Sequence, residues 1–338
     1  MASAQVRECS ERSILDQEPM QLGRPNLDEF AETLLALAKN DRDIVVLTSD
    51  SRGSGKLTHF GRTLPAQMIE VGIAEQNLVG IAAGLASSGK KPFTVSPACF
   101  LTARALEQIK NDVSYADHAV RLVGISAGVS YGPLGSTHHS LHDLAALRAI
   151  PNIDIVVPAD NFETRAAIRA AAFYTRPIYI RFGKRPMYNL HRANTPFSIG
   201  KAITVLQGTD VTFVGTGETV QPAFVAALRL RQQGVSAGII SMHTIKPLDT
   251  EALLKAALRT RALVTVEEHS VNGGLGEACA ATLLQAGATV PFRIVGIPDE
   301  YTCTGSQAEI LGHYGISASG LVEAAENLLH NERTTCPT

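Results

Sequence analysis

Short apolar runs without a polar face alternate along this chain with longer segments of helical periodicity. The first run, Asp43-Ile44-Val45-Val46-Leu47-Thr48, has the continuous apolar character of a strand covered on both faces. It ends in the polar loop Ser49-Asp50-Ser51-Arg52-Gly53-Ser54-Gly55, and such loops are where open parallel sheets bind ligands. Further strands are predicted over residues 92–96, 120–125, 153–157 and 178–182. Between them the spacing predicts helices. Asn26-Leu27-Asp28-Glu29 has the form of a capping box, with Phe30, Leu34, Leu35, Leu37 and Ala38 following at helical spacing. Other helices are expected over 100–115 and 143–150, and one is opened by Asp160-Asn161-Phe162-Glu163. The segment from Val71 to Ala86 is apolar on almost every side, which predicts a buried helix with Glu75 in its first turn.

A second alternating series follows, with strands over 202–206, 211–215, 235–241, 262–267 and 292–297 and helices over 219–233, 249–259, 274–286 and 317–330. Strand–helix alternation implies parallel pairing and right-handed crossovers. The chain is therefore expected to be α/β, with two doubly wound parallel-sheet domains over 25–185 and 200–332. Residues 186–199, rich in Pro, Asn and basic side chains, predict a linker; 1–24 and 333–338 predict a flexible arm and a tail.

Composition narrows the function. A length of 338 residues exceeds what one core usually supports. A net charge of −2, scattered Lys and Arg and the absence of Trp argue against a nucleic-acid surface. No apolar run reaches the roughly 18 residues that span a bilayer, and the first 24 residues lack the apolar centre of a secretory signal. Five widely spaced cysteines form no zinc or redox motif, which fits a reducing cytoplasm.

Glu75 heads the candidate chemistry. A carboxylate at the edge of a core is expensive unless something needs it, although a first-turn Glu also favours the positive end of its helix. His138 and His142 stand at i, i+4, but no carboxylate or Cys completes a metal set. The Gly-rich pieces at 215–220 and 273–277 lack the full dinucleotide fingerprint and read as helix-entry turns.

The runs VGIAEQNLVGIAAGLA, SPACFLTARALEQIKNDVSY, GSTHHSLHDLAALRAIPNIDIVVPADNFET and RPIYIRFG resemble the pyrimidine-binding domain of transketolases, and HTIKPLD and VEEHSVNGGLGEACA resemble their C-terminal domain. The likeness covers roughly residues 25–330 in the family's order, and is nearest to the C-terminal subunit of split, two-subunit transketolases. It implies thiamine diphosphate as cofactor, with Glu75 sharing a proton with N1′ of the aminopyrimidine and so preparing the cofactor to lose its thiazolium C2 proton. It implies Phe100 against the pyrimidine, with Gln76 and Arg104 as further lining, a surface salt bridge being the competing role for Arg104. His138 would contact substrate oxygens and Arg181 the substrate phosphate, with ion pairing at the strand end as its competing role. His59 and Arg62 are further contact candidates. Where the family commonly has Asp-Gly-x-Thr-His-Gln, this chain reads Leu134-Gly135-Ser136-Thr137-His138-His139, so the acid that meets a sugar hydroxyl is replaced by Leu134.

The family holds the diphosphate through Mg²⁺ with Gly-Asp-Gly and a later Asn-Asn, and this chain contains neither. The resemblance therefore implies a partner, the N-terminal subunit carrying the diphosphate-binding domain and holding most of the Mg²⁺ site, in a heterotetramer with paired copies of this chain. The expected reaction moves a two-carbon ketol unit between sugar phosphates. Two alternatives stand beside it: a beta-type subunit of a 2-oxoacid dehydrogenase-like enzyme, delivering a two-carbon unit to a lipoyl or carrier domain, and a non-enzymatic scaffold.

Overall fold

The computed structural model describes residues 21–334 apart from residue 193. The arm expected over 1–24 and the tail expected over 333–338 thus fall mostly outside the described residues. Where the arm is described it is not loose, since β1 (Leu22–Pro25) pairs antiparallel with β8 (Pro186–Tyr188), inside the expected linker. The first large sheet contains β2 (Ile44–Thr48), β3 (Met68–Glu70), β4 (Lys91–Pro97), β5 (Arg121–Ile125), β6 (Asp154–Val156) and β7 (Ile178–Arg181). The second contains β9 (Ile203–Leu206), β10 (Val211–Gly215), β11 (Ala237–Ser241), β13 (Ala262–Ser270) and β14 (Phe292–Ile297). Their orders are β12-β6-β7-β5-β4-β2-β3, where β12 is Thr244–Lys246, and β14-β13-β10-β11-β9. Seven strands and five, mostly parallel, with helices on the faces, give the α/β class that the alternation implied.

The first sheet borrows its edge from the second half of the chain. β12 pairs antiparallel with β6, His243 O accepts from Val157 N at 2.7 Å and Val157 O from Gly217 N at 3.0 Å. The apolar core is likewise shared. One cluster joins Leu78, Val79, Leu101, Leu122 and Leu144 to Val214, Ile240, Leu263 and Leu275. Burial of this kind stabilises by about 25 cal/mol per Å² of apolar surface, so the two halves hold each other in a fixed relation.

Local chemistry changes several expected elements. Asp160 caps its helix as expected, its side chain accepting from Glu163 N at 2.9 Å. Asn26 does not cap the helix Asn26–Ala38, where Pro25 occupies that position. Its side chain instead turns inward to Ala159 O and Asn161. The helix expected over 100–115 is divided: Ala98–Arg104 is α-helical, Ala105 breaks it with φ −105° and ψ 21°, and Ile109–Tyr115 winds in wide π-type turns. The helix Glu75–Ser87 is not buried all round. Glu75, Leu78, Val79, Ala82 and Ala83 face the core, while Gln76, Asn77 and Gly84 are exposed.

The residues after β8 are held by one buried histidine. His191 Nδ1 lies 2.9 Å from Asp160 Oδ2 and Nε2 lies 3.1 Å from Glu163 Oε1, with the ring stacked on Phe162. His243 also interacts electrostatically with Glu163, and burial lowers its pKa. Burial also opposes charge on His191, but the two carboxylates overcome it and raise its pKa to about 10. A folded-state pKa above the ordinary 6.5 contributes stability that is complete below about pH 6.5 and lost as pH rises toward about 10. Replacement by Ala is expected to destabilise by about 3 kcal/mol at neutral pH, since it strips a buried charge of its partner. Thermal unfolding of wild type and His191→Ala across this range should show the gap in Tm widest near pH 6 and closing toward pH 10; a gap independent of pH would contradict the ion-pair account.

Candidate active site

Loops from adjacent strands converge at the carboxyl edge of the first sheet, the usual place for ligands in such folds. β3 leads through Val71 and Gly72 to Glu75. β4 runs directly into Phe100 and Arg104, β5 into the loop carrying Tyr131 and His138, and β7 into Lys184. The strands stand in the order β7-β5-β4-β2-β3, and the side chains meet one another in that same order.

The turn before Glu75 is built by Glu70. Its carboxylate accepts from Thr48 Oγ1 at 2.7 Å, Asp50 N at 2.7 Å and Gly72 N at 3.0 Å. Burial raises its pKa, but these donors outweigh that and hold it below the usual carboxylate range. Gly72 adopts φ +74°, a conformation that suits glycine and reverses the chain into the helix. Glu75 then stands in the first turn, 2% exposed, where the helix terminus favours negative charge.

Glu75 Oε2 accepts from Arg104 Nη1 at 2.6 Å. The Arg104 guanidinium lies 5.1 Å from the centroid of the Phe100 ring, which meets the His138 ring edge-on at 5.3 Å. His138 meets Tyr131 edge-on at 5.4 Å, and Lys184 Nζ lies 3.6 Å from the Tyr131 centroid. His138 Nδ1 is also 3.0 Å from Thr137 Oγ1. Burial lowers the pKa of Lys184 and raises that of Tyr131. One continuous row thus joins a buried carboxylate, three aromatic rings and a cation at each end. Both readings of Arg104 meet here, because the salt bridge it makes is with Glu75 itself.

Other candidates lie elsewhere. Arg181 is 5% exposed, and its guanidinium donates to Asp143 Oδ2 at 2.7 Å, Ser140 O at 3.0 Å and Glu268 O at 2.9 Å. Burial pushes the Asp143 pKa up, but Arg181 and His269 overcome this and hold it low. With Nε and Nη2 committed to the interior, Arg181 joins the two domains, which favours the ion-pair role over the phosphate role. Gln76 points to solvent one position round the helix from Glu75. His59 and Arg62 are exposed on the short helix Thr58–Thr63, and no hydrogen bond or ion pair joins them to the row. His142 turns to Thr102 Oγ1, 3.4 Å away. Glu267 caps the helix Leu275–Gln285 through Leu275 N and Gly276 N, which makes the Gly-rich segment there a helix-entry turn. Tyr131 and Lys184 escaped the sequence reading. The signal for Lys184 was its place just beyond β7, after Gly183.

These residues suit the pyrimidine half of thiamine diphosphate. A buried carboxylate beside a half-buried aromatic face matches a planar heterocycle whose ring nitrogen takes a proton. The Gly-Asp-Gly and Asn-Asn through which the family holds the diphosphate do not occur in the sequence, and among the described residues no three His, Cys, Asp or Glu side chains gather in one group.

The family description "Transketolase, pyrimidine binding domain" matches residues 27–188 and "Transketolase, C-terminal domain" matches 200–321. An apulose-4-phosphate transketolase subunit of Phocaeicola vulgatus is 48% identical over 297 residues, covering 88% of this chain and 95% of that protein. A 6-deoxy-6-sulfo-D-fructose transketolase subunit of a Clostridium species is 38% identical, covering 89% and 93%. A solved structure described as a split gene transketolase, inactive beta4 tetramer, superposes with a TM-score of 0.82 at 35% identity, covering 91% of this chain and 99% of that one. This chain therefore belongs to the transketolase family and carries its pyrimidine-binding and C-terminal domains in succession.

Proposed function

We propose that this chain is the pyrimidine-binding subunit of a two-subunit, thiamine diphosphate-dependent transketolase that moves a two-carbon ketol unit between sugar phosphates in the cytoplasm. The observation that carries this reading is the buried Glu75 carboxylate beside the Phe100 ring, in a chain without the Gly-Asp-Gly and Asn-Asn motifs. The bound cofactor supplies a nucleophilic carbon and an electron sink for the ketol fragment. Glu75 would hold the proton at N1′, and Phe100 would lie along the pyrimidine. The partner chain supplies the Mg²⁺ and diphosphate contacts, and the exposed Gln76, Asn77 and Gly84 face of the Glu75 helix is available to such a partner in a heterotetramer.

Arg104 acts before the cofactor arrives. Its guanidinium is planar, cationic and donates to Glu75 while lying over Phe100, the same relations an aminopyrimidine would have. Arg104 is the accessible partner of this pair, its side chain 46% exposed against 2% for Glu75, so it can return to water once another partner meets the carboxylate. On the substrate side, His138 meets the ketose oxygens and Lys184 replaces Arg181 as the cation for the distal anion. Both relatives named above act on ketoses with an anionic group, a phosphate in one name and a sulfo group in the other. Leu134, 55% exposed at the loop tip, offers no acid to a sugar hydroxyl, which favours a specialised ketose. The same relatives favour ketol transfer over acyl delivery to a carrier.

Co-purification with a Gly-Asp-Gly-bearing partner, followed by a ketose phosphate cleavage assay, tests the assignment. The chain alone, given cofactor and Mg²⁺, should show no turnover, the complex should turn over, and Glu75→Ala should cost at least about 100-fold in kcat. Full turnover by the single chain, or by the Glu75→Ala complex, would sink the proposal. Arg104→Ala is expected to tighten thiamine diphosphate binding to the complex several-fold by calorimetry, and weaker binding would identify Arg104 as a cofactor contact instead. Lys184→Ala should raise KM for a phosphorylated ketose about tenfold while leaving the unphosphorylated analogue unaffected; equal effects on both would exclude the anion role.

A further inference from the structure

The loop from Gly128 to His142 belongs to the first domain, yet the C-terminal domain holds it along its length. At its root Val129 N donates to Glu268 Oε1 at 2.8 Å, and Gln307 Nε2 donates to the same oxygen at 2.9 Å. At its far end Ser270 N donates to Leu141 O at 3.2 Å. Gly132 sits so close to the second domain that an added Cβ would lie 2.9 Å from Gly305 O, and its φ of +49° also favours glycine.

The middle of the loop is tied through His139, which is 4% exposed, to Thr302, which is 8% exposed. His139 Nε2 lies 3.0 Å from Gly132 O and Nδ1 lies 2.6 Å from Thr302 Oγ1. A carbonyl only accepts, so Nε2 carries the proton. Burial lowers the pKa of this histidine, which favours the neutral ring, and Nδ1 then accepts from the Thr302 hydroxyl. The Thr302 oxygen is left to accept from Ser136 Oγ, 3.2 Å away. The hydrogen bonds thus run in one direction, from Ser136 to Thr302 to His139 to the Gly132 carbonyl. They cross from one limb of the loop to the other and pass through a single side chain of the other domain. His138 lies between Ser136 and His139 in the chain, with its own ring turned the opposite way to Phe100 and Tyr131.

We propose that Thr302 and His139 are positioning residues for His138, so that the C-terminal domain sets the geometry of the substrate loop without touching substrate. This inference rests on the substrate role proposed for His138. The four-residue span from Ser136 to His139 is anchored at both ends to one hydroxyl, which leaves the intervening ring little room to shift. Thr302→Val keeps the shape and removes the hydroxyl, so the loop loses its cross-tie while its packing stays. Thr302→Ser restores the hydroxyl.

The test uses the complex with its diphosphate-binding partner, thiamine diphosphate, Mg²⁺ and a ketose phosphate donor. Thr302→Val is expected to lower kcat/KM by about 10- to 100-fold, the scale of a small misplacement, while the cofactor Kd stays within about twofold and Thr302→Ser recovers most of the loss. His139→Leu breaks the same chain from the other side and should reproduce the loss, which keeps the test valid if Thr302→Val fails to fold. A double-mutant cycle supplies the readout that mere structural damage would not move. In a His138→Ala background, Thr302→Val or His139→Leu should have no further effect on kcat/KM, because the residue they position is gone. Undiminished, additive losses in that background, or no loss in the wild-type background, would overturn the proposal. An unchanged kcat/KM for His138→Ala alone would instead overturn the substrate role of His138 on which it rests.

Discussion

A carboxylate buried at the start of a helix cannot be left without a partner, and the site is arranged around that constraint. Glu75 is nearly fully buried, so desolvation must be offset by the helix terminus and by the charge-assisted bond to Arg104. Glu70 fixes the turn that puts it there, and Phe100 supplies the flat wall beside it. Arg104 is the accessible member, its side chain 46% exposed while that of the carboxylate it pairs with is 2% exposed. A planar heterocycle that shared a proton with Glu75 would take the place of Arg104 as that partner.

The second domain contributes no side chain to this row, but it determines where the row lies. It adds the edge strand β12 to the first sheet and closes a common apolar core. Arg181 spans the junction, bound to Asp143 on one side and to the Glu268 backbone on the other. The loop bearing His138 then lies against residues 302–307. A charge at a junction of this kind serves position better than ligand binding, since its Nε and Nη2 donors are already spent on the interior.

The sequence made the frame legible because strands covered on both faces leave uninterrupted apolar runs, as at Ile44–Thr48 and Val211–Gly215. It concealed Met68–Glu70 and Thr244–Lys246, three-residue edge strands with polar ends whose conformation comes from the neighbour they pair with. Glu75, Phe100 and His138 could be singled out from motif order, and the structure brings them to one edge. Arg181 and Lys184 stand three residues apart, and no motif distinguishes which cation faces the cleft. That depends on Asp143, more than thirty residues earlier, which takes the arginine inward. Gln76 lies apart from the row for a simpler reason. Ala82 and Ala83 on the core side of its helix and Gly84 on the exposed side are alike small and apolar, which in a linear reading conceals the seam between the two sides.

The central claim is that Glu75 controls the proton at N1′ of a cofactor whose diphosphate end is held by another chain. Hydrogen–deuterium exchange at C2 of thiamine diphosphate, followed by quench and NMR in the assembled complex, measures that control without substrate. The account predicts exchange faster by about two orders of magnitude or more with Glu75 than with Glu75→Gln at equal cofactor occupancy, and no acceleration by this chain alone. Equal exchange rates in the wild-type and Glu75→Gln complexes would contradict it.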